Sequence, residues 1–243
     1  MILSHLTVVV PARNEAQRIG ATLAKLVTGL PKHARRFEIL VVDDGSTDET
    51  AAIVEREFAG RARVVRREQS GGKGAAVRTG VLAAEGEWIL MTDADLSIPL
   101  DELARLSEHT RAAPIVIGSK RAPGNTIEYP LARRIAGGLG QLLIGLFVVR
   151  GFHDTQCGFK LYRADVAREL FAASTIDGFG FDFEVLFLAK RFGYAVEEVP
   201  VRVEHQLGSS VHATSYLRVL GEVLRVNANR CGGHYPEPRG RSD

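Results

Sequence analysis

Cysteine is scarce in this chain, with two in 243 residues, Cys157 and Cys231. Two thiols cannot build a disulfide framework or a zinc cluster, and so sparse a usage fits a reducing compartment. The seven histidines are scattered. None falls in an H-x-x-x-H pattern and there is no C-x-x-C, so a His/Cys metal site is not expected. Charge of one sign is lacking too. A formal net charge of +2 is too mild for a nucleic-acid partner, which needs a concentrated basic face. The pairs Arg35-Arg36, Arg66-Arg67 and Arg133-Arg134 read first as solvated surface. The longest nearly apolar run, Ile135 to Val149, falls short of the ~20 residues that cross a bilayer. Met1-Ile2-Leu3-Ser4-His5-Leu6 carries no basic stretch and leads straight into a strand, so no signal peptide is expected. These absences point to a cytoplasmic protein, with peripheral contact at the inner face of the membrane left open.

What is present fits one large α/β domain: 45% apolar and 25% charged residues are ordinary for a globular chain of this length. Short β-branched runs alternate with helical stretches. Leu6–Val10, Phe37–Val42, Ala62–Val65, Trp88–Met91 and Ile115–Ile117 read as strands. Helices are expected at about Glu15–Val27, from a Thr47 or Asp48 cap to Phe58, at Gly74–Ala84 and at Pro99–His109. Near-continuous apolar strands separated by helices imply a mostly parallel, Rossmann-like sheet flanked by helices on both faces. Ligand loops should then lie at the carboxyl ends of the strands, and polar residues cluster there: Arg13-Asn14-Glu15, Asp43-Asp44 and Asp93-x-Asp95. The second half is less regular, with helices at Leu131–Val149, Ala164–Ala172, Asp182–Phe192 and Thr214–Asn229, and strands at Gly158–Arg163 and Ala195–Val203. Residues 1–230 are expected to form one domain, divided functionally near residue 121. Residues 231–243 read as a disordered tail.

Three constellations carry chemistry. Asp93-x-Asp95 after an apolar strand sets two carboxylates on one loop, able to hold Mg²⁺ or Mn²⁺ while phosphates complete the shell. A helix cap is the bland alternative, weakened by Asp43-Asp44 at a neighbouring strand end. Gly71-Gly72-Lys73-Gly74 opens a helix, where glycines admit a close ligand and Lys73 adds charge, although a flexible turn would look the same. It is not a P-loop, because Arg67 stands where the first glycine would be and Gly74 replaces the Ser or Thr. Phe181-Asp182-Phe183-Glu184 places acids among aromatics at a helix start, which fits either a cap or a carboxylate of raised pKa acting as general base.

Val10-Pro11-Ala12-Arg13-Asn14-Glu15, Val42-Asp43-Asp44-Gly45-Ser46-Thr47-Asp48, Gly72-Lys73-Gly74-Ala75-Ala76 and Asp93-Ala94-Asp95-Leu96-Ser97 together resemble the family 2 inverting glycosyltransferases of GT-A fold. Asp154-Thr155-Gln156-Cys157-Gly158-Phe159-Lys160-Leu161 resembles their dolichyl-phosphate glucosyltransferase subgroup. The likeness implies that Pro11, Arg13 and Glu15 line a nucleotide pocket, and that Asp44 with Val42 holds the base or ribose. Lys73 would face the nucleotide, Ala94 would lie at the substrate, and Asp93 and Asp95 would hold the metal. Arg133 or Arg134 would neutralise phosphate. Two departures stand out. Ser97 occupies a place where some relatives carry a metal-binding Gln. Gly208-Ser209-Ser210 lacks the usual closing Lys, leaving His205 and His212 as positive candidates.

The resemblance implies inverting transfer of a sugar, glucose from UDP-glucose, to a polyprenyl phosphate with Mg²⁺ or Mn²⁺. Asp95, Asp93 and Asp182 are the catalytic candidates. A small soluble hydroxyl acceptor is the rival, and Asp182 would then be its base. A nucleotidyltransferase is disfavoured because Pro-Ala-Arg-Asn-Glu stands where its Gly-rich loop would follow the first strand. A non-catalytic nucleotide-sugar binder or membrane-associated scaffold fits poorly with intact Asp93, Asp95 and Lys73. Leu131–Val149, apolar nearly all round and bounded by arginines, is either a core helix or one lying at the membrane surface.

Overall fold

A computed structural model of the protein describes residues 1–122, 131–204 and 213–237, with side chains described throughout those ranges except at 131–137, 139 and 213–217. His205, His212 and Gly208–Ser210 lie outside the described residues, as do the side chains of Arg133 and Arg134.

The elements in chain order are β1 (Leu3–Ala12), α1 (Ile19–Gly29), β2 (Ala34–Asp43), α2 (Thr50–Glu57), β3 (Arg63–Arg66), α3 (Lys73–Ala83), β4 (Trp88–Met91) and α4 (Glu102–Glu108). They continue with β5 (Ile115–Ser119), α5 (Leu131–Phe147), β6 (Lys160–Arg163), α6 (Ala164–Ala173), α7 (Phe181–Arg191), β7 (Val196–Pro200) and α8 (Ala213–Cys231). The seven strands form one sheet in the order β3-β2-β1-β4-β6-β5-β7. β1 pairs parallel with β2 and β4, β2 with β3, and β5 with β7. β6 alone runs antiparallel, between β4 and β5.

Both faces of the sheet are dry. Successive residues of a strand point to opposite faces, and the centre of β1 shows this. Val9 joins a core with Leu40, Val42, Met91 and residues of α3, α6 and α7, whereas Val8 and Val10 join a second core with Ile39, Val41, Leu90 and α1. Apolar residues at consecutive strand positions are therefore needed, which is why these strands read as unbroken runs.

The edges of the elements differ from expectation for local reasons. α1 begins at Ile19, not Glu15, and the amides that precede it are bonded to the loop after β2. Asn14 N–H donates to Ser46 Oγ at 3.0 Å, Glu15 N–H to Thr50 Oγ1 at 2.8 Å and Ala16 N–H to Asp48 Oδ2 at 3.1 Å. The tail expected to be free after Arg230 is held as far as Glu237. Tyr235 is buried, its ring centroid is 5.4 Å from that of Phe187, and its hydroxyl donates to Glu184 Oε1 at 2.8 Å.

Candidate active site

The carboxyl ends of β1, β2, β3 and β4 share one edge, and antiparallel β6 begins there, with Lys160 beside Met91. The loops after β1 and β2 are laced together, since Thr47 N–H donates to Asn14 Oδ1 at 2.8 Å in return for the Asn14 bond to Ser46. Asn14 sits at φ 56, a conformation that asparagine tolerates better than most residues.

Asp44 organises the glycine turn that precedes α3. Its carboxylate accepts N–H bonds from Gly71 at 3.0 Å and Gly72 at 2.9 Å and the Ser70 hydroxyl at 2.8 Å, and it lies 2.9 Å from Arg67 Nε. Burial alone would raise its pKa. The Gly71 and Gly72 amides, Ser70 and Arg67 outweigh burial and hold it below the ordinary value. Gly72 is required here, because at φ 101 a Cβ would lie 2.7 Å from the Asp177 carbonyl oxygen. The carboxylate of Asp44 thus ties the end of β2 to the glycine turn. Arg67 is likewise no mere surface residue, since it also donates to Ala75 O and Thr79 Oγ1.

The centre of the site is a cluster of carboxylates and lysines. Lys73 Nζ, at the start of α3, lies 2.6 Å from Asp93 Oδ1. Asp182, on the first turn of α7, forms a buried ion pair with Lys160, whose ammonium also donates to Thr155 O at 3.0 Å. Burial pushes the Asp182 carboxyl above its ordinary pKa despite the attraction of Lys160 and Lys73. Burial acts to lower Lys73, but Asp93, Asp182 and Asp95 prevail and raise it. Glu15 is raised too, first by burial and then by Asp95, Asp48 and Asp93, with Arg18 opposing at 2.7 Å.

Asp95 is the unbalanced member. Its Oδ1 accepts the Ser97 N–H at 2.9 Å, and it has no ion-pair partner among the described residues. The loop around it is tightly shaped. Leu96 is buried at φ 45, where a leucine is strained, and Ala94 O accepts the Thr22 hydroxyl at 2.5 Å. Gly158 packs so closely that a Cβ would lie 2.0 Å from Asp93 Oδ2.

Of the residues expected from sequence, Glu15, Lys73, Asp93, Asp95 and Asp182 come together. Pro11 and Val42 face each other in the β1–β2 register, Pro11 half-buried and Val42 buried, and Arg13 is exposed beside them. Asp182, the candidate base, is paired through Oδ1 with Lys160. Lys160 itself was missed as a site residue. The one available signal was a lysine inside the apolar strand Phe159–Tyr162, next to Gly158.

Hard oxygen donors suit Mg²⁺ or Mn²⁺, and the excess negative charge centred on Asp95 fits a cation at this loop. No group of three His, Cys, Asp or Glu poised to hold a metal occurs among the described residues, so two carboxylates would need ligands from elsewhere to complete a shell.

This sheet, with its acidic loop at the end of β4, is the fold of the GT-A glycosyltransferases. One solved example is glucosyl-3-phosphoglycerate synthase from Mycobacterium tuberculosis, in complex with Mn²⁺, UDP-glucose and phosphoglyceric acid. It matches with a TM-score of 0.67 at 21% identity, over 96% of this chain and 81% of that one. The family model for glycosyl transferase family 2 matches residues 7–171. A dolichyl-phosphate beta-glucosyltransferase of Trichomonas vaginalis is 38% identical over 240 residues, covering 91% of this chain and 70% of that protein. Another, of Dictyostelium discoideum, is 29% identical over 243 residues, covering 91% and 73%. The chain belongs to glycosyl transferase family 2.

Proposed function

We propose that this protein transfers glucose from UDP-glucose to a polyprenyl phosphate of the dolichyl type, with inversion at the anomeric carbon. The observation that carries this reading is the likeness, over nine-tenths of the chain, to dolichyl-phosphate beta-glucosyltransferases. The unbalanced Asp95 beside the Lys73–Asp93 pair supports it.

Asp93 and Asp95 would hold Mg²⁺ or Mn²⁺, which when bound acts as a Lewis acid on the leaving diphosphate. Lys73 stays protonated among its carboxylates and offers positive charge at the same edge. Asp44 fixes the glycine turn that aims Lys73. Asp182 and Lys160 form the floor of the site and keep Asp93 in place through their shared field. A lipid phosphate is already anionic at neutral pH and needs no base to activate it. A soluble hydroxyl would need one, and the Lys160-bound Asp182 is poorly placed to serve. That pairing favours the phosphate acceptor.

A polyprenyl phosphate stays in a bilayer, so the protein must meet a membrane surface, and α5 is the proposed point of contact. Among the described residues no helix is long and apolar enough to cross a membrane. α5 buries Ile144 beside the core yet leaves Leu142, Leu146 and Phe147 more than half exposed. A Cβ built on Gly138, Gly140 or Gly145 meets nothing within 4 Å, so close packing against described neighbours does not explain these glycines.

Donor binding gives the test. UDP-glucose should raise the melting temperature markedly more with Mn²⁺ than with EDTA, since a ligand that binds only the folded state stabilises it more the more tightly it binds. Equal shifts under both conditions would remove the metal from the donor site.

A further inference from the structure

At the far end of α7 from Asp182 there is a basic cavity. α7 carries Asp182 in its first turn and Lys190 and Arg191 in its last, so the two ends lie roughly 12–14 Å apart at 1.5 Å per residue. The cavity measures about 400 Å³ and has an apolar floor of Val148, Val149 and Phe187. Its rim is formed by Arg150, Lys190, Arg191 and Arg230.

The four cations have little to neutralise them. Lys190 Nζ donates to the Arg150 carbonyl oxygen at 2.5 Å and lies 5.0 Å from the Phe152 ring centroid. Arg230 stacks 5.8 Å over Phe187. Arg191 is the exception, at 2.7 Å from the exposed carboxylate of Glu237. The Arg150 guanidinium has no hydrogen-bond or ion-pair partner among the described residues. One carboxylate against four cations leaves a strongly positive mouth over an apolar base.

This cavity adjoins the exposed apolar side of α5. Val148 and Val149 follow directly on the last turn of α5, where Leu146 and Phe147 are exposed, with Leu142 one turn earlier on the face of Leu146. α8, which ends near Arg230, exposes Leu220 and Leu224. Exposed leucines near a cationic hollow match the two halves of a phospholipid, with acyl chain against leucines and headgroup phosphate among arginines.

We infer that this cavity binds the headgroup phosphate of an anionic phospholipid and anchors the protein at a bilayer, apart from the catalytic edge. The inference rests on the proposed membrane-facing role of α5, and the experiment separates the two. Co-sedimentation is measured with vesicles of phosphatidylglycerol and of phosphatidylcholine. Wild type should pellet far more strongly with phosphatidylglycerol. Arg150→Gln with Arg230→Gln should weaken that partitioning on the order of tenfold or more and leave the phosphatidylcholine level unchanged. Leu142→Glu with Leu146→Glu should reduce binding to both. Arg150→Gln alone, at a residue without described side-chain partners, should show a smaller loss of the same kind and guards against a folding artefact. If the arginine variants keep the phosphatidylglycerol preference, the headgroup assignment fails while the α5 reading stands. If wild type pellets with neither lipid, the α5 reading fails and takes the inference with it. Full release from phosphatidylglycerol by glycerol 3-phosphate would mean that the cavity takes a soluble phosphate instead, and would overturn the lipid assignment.

Discussion

Replacing Asp95 by Asn keeps its shape and its bond from Ser97 but removes a charge that has no ion-pair partner among the described residues. Activity should fall by on the order of a thousandfold, the several kcal/mol that a Lewis-acidic metal supplies, with the melting temperature little changed. Turnover within about tenfold of wild type would exclude Asp95 as a metal ligand. Asp182→Asn is a different experiment, because it strands the buried ammonium of Lys160. Loss of one partner of a buried pair costs about 3–5 kcal/mol, so urea denaturation should show a large loss of stability. Lys160→Met combined with Asp182→Asn should recover most of that stability without restoring turnover. The placement of Asp93 and Asp95 at the carboxyl end of a strand was legible in the sequence, because the apolar run of β4 stops just before them. Lys160 was not, since a lysine in a strand looks the same whether it meets solvent or a carboxylate on a helix 22 residues later.

Asp93 and Asp95 sit on a loop, and its tolerances are narrow. Gly158→Ala would push a methyl group into Asp93 Oδ2 and displace the partner of Lys73. Activity should drop at least a hundredfold, as a misplacement of about 1 Å can, while circular dichroism stays native. The Asp44 loop has an acid signature. Its folded pKa lies below the ordinary 3.8, so its contribution is complete above that value and is lost as pH falls through the lower, folded one. Asp44→Asn should flatten the acid limb of the stability profile, which pH-dependent denaturation can read. At this scale the strands were legible from their apolar runs, but the direction of β6 was not, because such runs carry no sense of direction. The bonds from the Asn14, Glu15 and Ala16 amides were hidden for another reason: the side chains that take them come from residues 46–50, across the loop.

For the whole molecule, the two-faced core and the acidic edge followed from alternating strand and helix signals, whereas the closing contact did not. Gly232 to Pro238 is polar and rich in glycine and proline, a composition that suggests a free tail, and one aromatic residue decides otherwise. Tyr235 covers Phe187 and meets buried Glu184, which in turn accepts the amides of Thr175 and Ile176 in the loop leading to α7. Removing residues 232–243 should therefore cost about 3–5 kcal/mol, as loss of a buried aromatic does. That corresponds to roughly 6–20 °C in melting temperature for a chain of this size, measurable by calorimetry.

The most direct measurement follows the sugar itself. The protein is incubated with Mg²⁺, radiolabelled UDP-glucose and a polyprenyl phosphate, and the organic phase is analysed for product and anomeric configuration. Label should enter that phase as a β-linked glucosyl phosphate, with none transferred when the lipid is omitted. Label remaining in the aqueous phase on a hydroxyl acceptor, or lipid product of α configuration, would contradict the proposed function.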